Sequence, residues 1–333
     1  MNRFLILTDF AVKPEWEFLA GFREVCGEEP DVHSCTSNYL RRGIIDRIRR
    51  YLLYFTFPLS QLKYNGKYES IVGFQQFYAL NLAFFMKLLG IRKRSRIYVM
   101  TFIYKDKKGL AGKLYRRYVK SIVTSGYVDR FFVSSSSEPA YYASLFGCRE
   151  EVFVPCRLGI DRMEGIEPVK GSYFFAAGRS NRDYDFLISE FTSNGRELTI
   201  VTDEPLKSPV ANISILGNCT GTDMFRKMAA SYCVIIPLKD PNISAGQLVA
   251  LQALQLGKPV IATRCPGLYD YLEDGTTALL TDNTGEGLER CMKALADDSV
   301  YARLSKNARK AFNSRFSLKG QGAFVCKKCL EKE

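Results

Sequence analysis

The stretch "ISAGQLVALQALQLGKPVIAT", residues 243–263, decides the architecture. It opens on small residues around Gly246, runs into a helical segment, Ala245–Leu256, breaks at Gly257 and ends in the apolar run Pro259–Thr263. A helix handed through a glycine to a short, wholly apolar strand fits a parallel sheet covered on both faces by helices. The helix is apolar except for Gln247, Gln252 and Gln255. An amide buried against a sheet is costly without a partner. A sugar hydroxyl is a suitable partner for Gln252, because an amide both donates and accepts. Gln247, at the mouth of the helix, is within reach of a phosphate or a transferred group. The alternative is that Gln252 and Gln255 face solvent.

The same alternation extends in both directions. Apolar strands are expected at Phe4–Thr8, Ser70–Phe74, Ile97–Phe102, Arg130–Val133 and Val152–Pro155. A second set is expected at Ser172–Ala177, Leu198–Thr202, Ile213–Leu216, Cys233–Pro237 and Pro259–Thr263. Helical patterns lie between them, including Gln76–Leu89, Leu110–Thr124, Asp183–Glu190, Thr222–Ala229 and Glu286–Ala296. The pattern runs down between Arg157 and Gly171, where glycines and a proline cluster. A chain of 333 residues also exceeds the usual size of one core. The expectation is α/β: two doubly wound Rossmann-like domains, 1–160 and 171–316, facing a central cleft. A C-terminal helix, 317–333, has the option of crossing back to the first domain. Ligands of such sheets bind beyond the carboxyl ends of the strands, at a switch point.

Composition narrows the class. Apolar residues make up 47% and charged residues 25%, as in ordinary folded proteins. The 10 cysteines form no framework, which fits a reducing compartment. The one close pair, Cys326 and Cys329, reads as part of the terminal helix. The start, MNRFLILTDF, has too short an apolar core for a secretory signal and reads as a first strand. No apolar run approaches the ~20 residues of a membrane span, so no spanning segment is expected; the expected location is cytoplasmic, with the inner face of the cell membrane as a peripheral option. Net charge is +12, and residues 1–165 hold 26 Lys and Arg against 16 Asp and Glu, the remainder 21 against 19. The first half therefore carries the basic surface, suited to anionic partners.

Part of that charge lies in "SNYLRRGIIDRIRRYLLYFTFPLS", residues 37–60. Apolar residues recur at helical spacing among Arg41, Arg42, Arg47, Arg49 and Arg50, and aromatics follow. A basic amphipathic helix can lie on an anionic membrane or hold an acceptor. Its alternative is a surface helix packing its apolar stripe on the domain.

Two turns in the second half suit phosphate. In "AAGRSNRDYDFL", residues 176–187, a strand ends at Gly178; Ser180, Asn181 or Asp183 can cap the next helix, and Arg179 and Arg182 bring two guanidinium groups. In "NISAGQ", residues 242–247, Asn242 or Ser244 is an expected N-cap and Gly246 lies in the first turn, where free amides bind anions.

The pattern Leu251–Asn283, together with "FAAGRSNRDYDFL", "CVIIPLKD" and "EVFVPCRLGID", resembles GT-B glycosyltransferases, family 4 especially. The likeness extends from Val128 to Phe316. It implies a transferase moving a sugar from a nucleotide-diphosphate donor to a hydroxyl of a glycan or lipid-linked acceptor, as in surface polysaccharide or glycolipid assembly. The family pattern carries two glutamates, and here Ser244 and Gln252 stand in their places. A resemblance of this kind implies that Gly178, Arg179, Arg182, Ser244, Gly246, Gln247 and Gln252 bind the donor. The family's N-domain histidine is absent; the nearest carboxylate is Asp106. The only histidine, His33, lies in a loop-like segment and is not expected to be catalytic.

An inverting transfer needs a base in the first domain, for which Asp106 and Asp9, both after expected strands, are the candidates. A retaining transfer can use the donor diphosphate itself. No metal or other cofactor is demanded, since the sequence has no Asp-x-Asp triplet and no His/Cys cluster. An epimerase, a phosphorylase or a non-catalytic nucleotide-sugar-binding module are alternatives on the same fold. No nucleic-acid-binding signature is present.

Overall fold

The computed structural model describes residues 3–37, 43–207 and 210–331. The chain divides into two compact units, Met1–Arg157 with Leu318–Glu333, and Leu158–Ser317. Residues 158–170, read from sequence as a linker, thus belong to the second unit.

The first unit is built on a six-stranded sheet, ordered β2-β1-β3-β4-β5-β6. Its strands are β1 Phe4–Thr8, β2 Asp31–Ser34, β3 Ser70–Gly73, β4 Arg96–Val99, β5 Arg130–Val133 and β6 Phe153–Pro155. All neighbours are parallel. Successive residues of β1 point to opposite faces, and both faces are covered. Leu5 and Leu7 join Ile71, Ile97, Val99 and Phe131 under α3 (Gln76–Leu88) and α4 (Gly109–Val123). Phe4 and Ile6 join Val72, Tyr98 and Phe132 under α1 (Glu17–Cys26) and α11 (Leu318–Leu330). Helices α1 and α11 cross at Gly21 and Gly322, where any Cβ would collide with the backbone of the other helix. Cys326 and Cys329 are buried in that interface, so the pair serves as apolar filling.

Helix α2, Ile44–Gln61, contains Pro58 in its interior. Proline lacks the N–H owed to the carbonyl four residues earlier. That carbonyl, Tyr54 O, instead accepts from Asn81 Nδ2 at 2.6 Å, which keeps the helix continuous and docks it on α3. The helix α5 (Glu138–Phe146) completes this unit.

The second unit repeats the plan, with sheet order β12-β11-β10-β7-β8-β9. Its strands are β7 Phe174–Ala177, β8 Leu198–Val201, β9 Ile213–Leu216, β10 Cys233–Ile236, β11 Val260–Thr263 and β12 Leu279–Thr281. They too pair in parallel. One face packs under α7 (Gly221–Ala229), α8 (Gln247–Leu256) and α10 (Asp298–Arg315), the other under α6 (Tyr184–Asn194) and α9 (Gly285–Leu295). Chain order runs β7-β8-β9 towards one edge and β10-β11-β12 towards the other. The switch point therefore lies between β7 and β10. In the first unit it lies between β1 and β3.

Several elements depart from the sequence reading. His33 lies in β2, paired in register with Leu7, not in a loop; a short edge strand of half-exposed residues carries no apolar run to announce it. Helix α10 and strand β12 escaped the pattern because α10 is polar on most of its surface, burying chiefly Leu304, Ala308, Ala311 and Phe312. The helix after Gly246 starts at Gln247, two residues later than expected.

Candidate functional site

The carboxyl ends of β7 and β10 in the second unit bring the two predicted turns together. The agent is Asn181. Its Nδ2 donates to Asp240 O at 2.7 Å and its Oδ1 accepts from Asp240 N at 2.9 Å. Its own carbonyl accepts from Lys239 N. Asn181 sits at φ 58°, a left-handed conformation that asparagine tolerates better than most side chains. Nearby, Thr263 Oγ1 accepts from Leu238 N at 2.8 Å and donates to Asn283 Oδ1 at 3.1 Å. Asn283 Nδ2 reaches Asp183 Oδ2 at 3.3 Å. Four strand ends, β7, β10, β11 and β12, are thus tied by short polar side chains.

Asp183, among the three caps considered, is the one that caps α6, accepting from Phe186 N at 3.2 Å. At α8 neither Asn242 nor Ser244 caps. The N-cap is Gly246, at φ 93° with no side-chain cap hydrogen bond. A Cβ there would meet Ile236 Cγ2 at 2.8 Å, so the position requires glycine on both counts. Without a capping side chain, the first-turn amides of α8 remain open to an anion.

The two arginines have different duties. Arg182 is spent largely on its own turn: Nε donates to Ala177 O at 3.0 Å and one terminal nitrogen to Ser180 O at 2.8 Å. Burial pushes its guanidinium below its ordinary value, with Tyr184 and Glu204 acting in the opposite sense. Gly178, at φ 115°, leaves room for it, since a Cβ would lie 2.7 Å from Arg182. Arg179 instead is 66% exposed, and its contact with Asp203, at 3.5 Å, is loose. Of the two arginines, Arg179 is thus the one left exposed, and Arg182 shapes the loop.

The glutamines divide as well. Gln247 is buried, its Nε2 donating to Ser244 Oγ and to Gly267 O. Gln255 is partly exposed and is bonded within its own unit: it accepts from Met163 N at 2.9 Å and donates to Asp161 O at 3.0 Å. Gln252 Oε1 is buried with no hydrogen-bond partner. An orphaned acceptor on the helix that starts at the switch point fits a ligand hydroxyl.

Two further features had no clear sequence signal: the asparagine staple and Lys258. The last is 2% exposed, its ammonium donating to Val169 O and Ser231 O, and burial pushes it down to about 8.

In the first unit, Asp9 follows β1 at the switch point, its Oδ2 3.5 Å from Gln75 Nε2. Asp106 lies in the segment before α4, accepts from Tyr104 OH at 2.8 Å and pairs with Arg116 at 3.7 Å. His33 Nδ1 is 2.8 Å from Gln61 Oε1. On α2, the apolar stripe points outward. Ile44, Ile45, Ile48, Tyr51 and Leu52 are 55–80% exposed, whereas Tyr54, Pro58 and Gln61 face the core. Arg47 and Arg49 are exposed beside them, and Arg50 lies over Tyr51, 5.9 Å from its ring centroid. Arg41 and Arg42 lie outside the described residues. Among the described residues, no helix is long and apolar enough to cross a membrane, and no group of three or more His, Cys, Asp or Glu stands ready for a metal.

Comparison with known proteins supplies the context for these loops. Residues 172–298 match the family model for glycosyl transferases group 1. The chain is 23% identical over 152 residues to the uncharacterized glycosyltransferase MJ1178 of Methanocaldococcus jannaschii, covering 45% of this chain and 41% of that protein. It thus spans about two fifths of that relative's length. Its fold is similar to that of HepE from Anabaena in complex with UDP, with a TM-score of 0.70 at 14% identity over 98% of this chain and 99% of that one. It is also similar to sucrose-phosphate synthase from Thermosynechococcus elongatus (TM-score 0.69, 15% identity, 98% of each chain). WaaG, a glycosyltransferase involved in lipopolysaccharide biosynthesis, gives 0.64 at 14% identity over 99% and 100%.

Proposed function

From a chain that carries a group 1 glycosyl transferase domain on the GT-B fold, we propose a glycosyltransferase that takes its sugar from a nucleotide-diphosphate donor held by the second unit. The observation that carries this reading is the junction of the two loops at the switch point. The uncapped start of α8 and the exposed Arg179 guanidinium offer amides and one positive charge to a diphosphate. Gln252 Oε1 offers an acceptor for a ribose hydroxyl. As the nucleotide leaves, negative charge grows on the diphosphate, and groups already fixed in place stabilise it without reorganising. This chemistry calls on no metal.

The acceptor is a glycan or a lipid-linked glycan, met by the first unit at the cytoplasmic face of a membrane. Support comes from the outward apolar stripe of α2 with its flanking arginines, a pattern that suits the boundary between headgroups and acyl chains. Should the acceptor hydroxyl need a base, Asp9 is better placed than Asp106. It stands at a switch point, whereas Asp106 is engaged by Tyr104 and Arg116.

The test is nucleotide binding with two variants. UDP or GDP is expected to raise the melting temperature of the unaltered chain. Arg179→Ala is expected to keep the intrinsic melting temperature and lose roughly 10-fold or more in affinity, the scale of one charge-assisted contact. Arg182→Ala is expected to lower the melting temperature itself. Full affinity in the double variant overturns the donor site.

A further inference from the structure

We propose that Cys26 and Cys326 form a reversible thiol–disulfide site that clamps the C-terminal helix α11 to α1. The site stands apart from the donor loops. The C-x-x-C spacing puts Cys326 and Cys329 on one helix; the reacting partner of Cys326 comes instead from near the other end of the chain.

The crossing of the two helices brings the sulfurs together. Gly21 and Gly322 let the backbones of α1 and α11 touch. Cys26 lies five residues beyond the first glycine and Cys326 four beyond the second, so each thiol stands about one turn past the crossing. Glu24 and Lys319 pair at 2.7 Å across the same interface. Besides filling that interface, the Cys326 thiol is hydrogen-bonded to the Cys26 thiol. Cys26 Sγ also donates to Phe22 O at 3.1 Å and meets Glu28 O at 3.4 Å, contacts that hold its rotamer.

The two thiols differ in access. Cys26 is partly exposed at the end of α1. Cys326 is fully buried; burial and the adjacent Cys26 thiol push it up, with Arg3 acting in the opposite sense. Burial also holds Cys329 well above its ordinary value. An oxidant from solvent therefore meets Cys26 first, and Cys326 resolves what forms there. Disulfides in a reducing compartment are mostly transient ones of this kind.

The oxidant is a low-molecular-weight disulfide, RS–SR. Cys26 gives its proton to solvent and its sulfur attacks one sulfur of RS–SR; the S–S bond breaks, RS⁻ leaves and Cys26–S–S–R forms. Cys326 then loses its proton and its sulfur attacks Cys26 Sγ, expelling a second RS⁻. The two thiolates take up the two protons. Two protein thiols are oxidised and one RS–SR is reduced to two RSH. The new bond closes a loop that spans most of the chain, including all of the second unit, before which α11 has no covalent tie to α1. Cross-linking so long a loop restricts the unfolded chain strongly.

The experiment treats the full reduced chain, natively folded, with oxidised glutathione, alkylates the remaining thiols and maps peptides without reduction. Expected is a Cys26–Cys326 linked peptide as the main product, reversed by dithiothreitol. Cys26→Ser is expected to leave Cys326 reduced, and Cys326→Ala to leave Cys26 as the mixed disulfide with glutathione. Oxidation is expected to raise the melting temperature of the unaltered chain by about 5–10 °C and that of Cys26→Ser not at all. Because Cys26 is partly exposed, Cys26→Ser keeps the test valid even where Cys326→Ala does not fold. A mixed disulfide at Cys26 that stays unresolved in the unaltered chain, a Cys326–Cys329 link, or no reaction at Cys26 overturns the site. A Cys26–Cys326 link with no rise in melting temperature overturns the clamp.

Discussion

At the scale of single residues, the site depends on short polar side chains more than on charges. Asn181, Thr263 and Asn283 fasten four strand ends through bonds of 2.7–3.3 Å. None of them marks itself in the sequence as functional, because an asparagine after a glycine reads first as a turn residue. Lys258 is the clearest case of a residue visible only in three dimensions. Its ammonium is buried against two carbonyls, and burial lowers it from 10.5 to about 8. The unfolded chain therefore holds this proton to higher pH than the folded one. Where the unfolded state binds more protons, stability rises with pH. The penalty on the folded state is full below pH 8 and is relieved between pH 8 and 10.5; the neutral amine still has two N–H groups for the two carbonyls. Chemical denaturation across that window is expected to show a rise on the order of 1–3 kcal/mol relative to Lys258→Met. Parallel profiles for the two proteins would rule this out.

At the scale of elements, α8 and α2 show how pattern and placement differ. The apolar run of α8 correctly announced a helix against a sheet. Its three glutamines proved to have three fates: bonded at the helix mouth, stitched to residues 161 and 163, and orphaned. Which face of a helix meets a neighbour is a tertiary matter. The amphipathic spacing of α2 was equally legible, yet a stripe packed inward and a stripe turned outward give one and the same sequence pattern. Tyr54 and Pro58 decide it, since they and Asn81 dock the opposite face on α3. If the outward stripe meets lipid, vesicles containing anionic lipid should float the unaltered chain. Flotation should fall severalfold when Arg47, Arg49 and Arg50 become Gln, and again when Leu52 becomes Glu. Each basic group near such a surface contributes ~1 kcal/mol, and moderate salt should weaken the arginine contribution. Equal recovery of all variants in the floating fraction would exclude this role.

At the scale of the whole molecule, two units of one design divide the labour unevenly. Excess positive charge sits in residues 1–165, the phosphate-suited loops in residues 176–187 and 238–247. A ligand that binds the native state stabilises it by mass action, by about 2.7 kcal/mol at one hundred times its Kd. Hydrogen exchange with saturating UDP or GDP should therefore slow first at the amides after β7 and at the start of α8. Protection confined to Met1–Arg157 would contradict the donor site. The sequence by itself determined the α/β class, most strands, and the two loops that close on one switch point, because strand periodicity and glycine-bounded turns are local properties. It did not determine which arginine is free or which way α2 turns its apolar face. Those depend on partners far apart in the chain, such as Asn181 with Asp240 or Asn81 with Tyr54, and such pairings exist only once the sheets have formed.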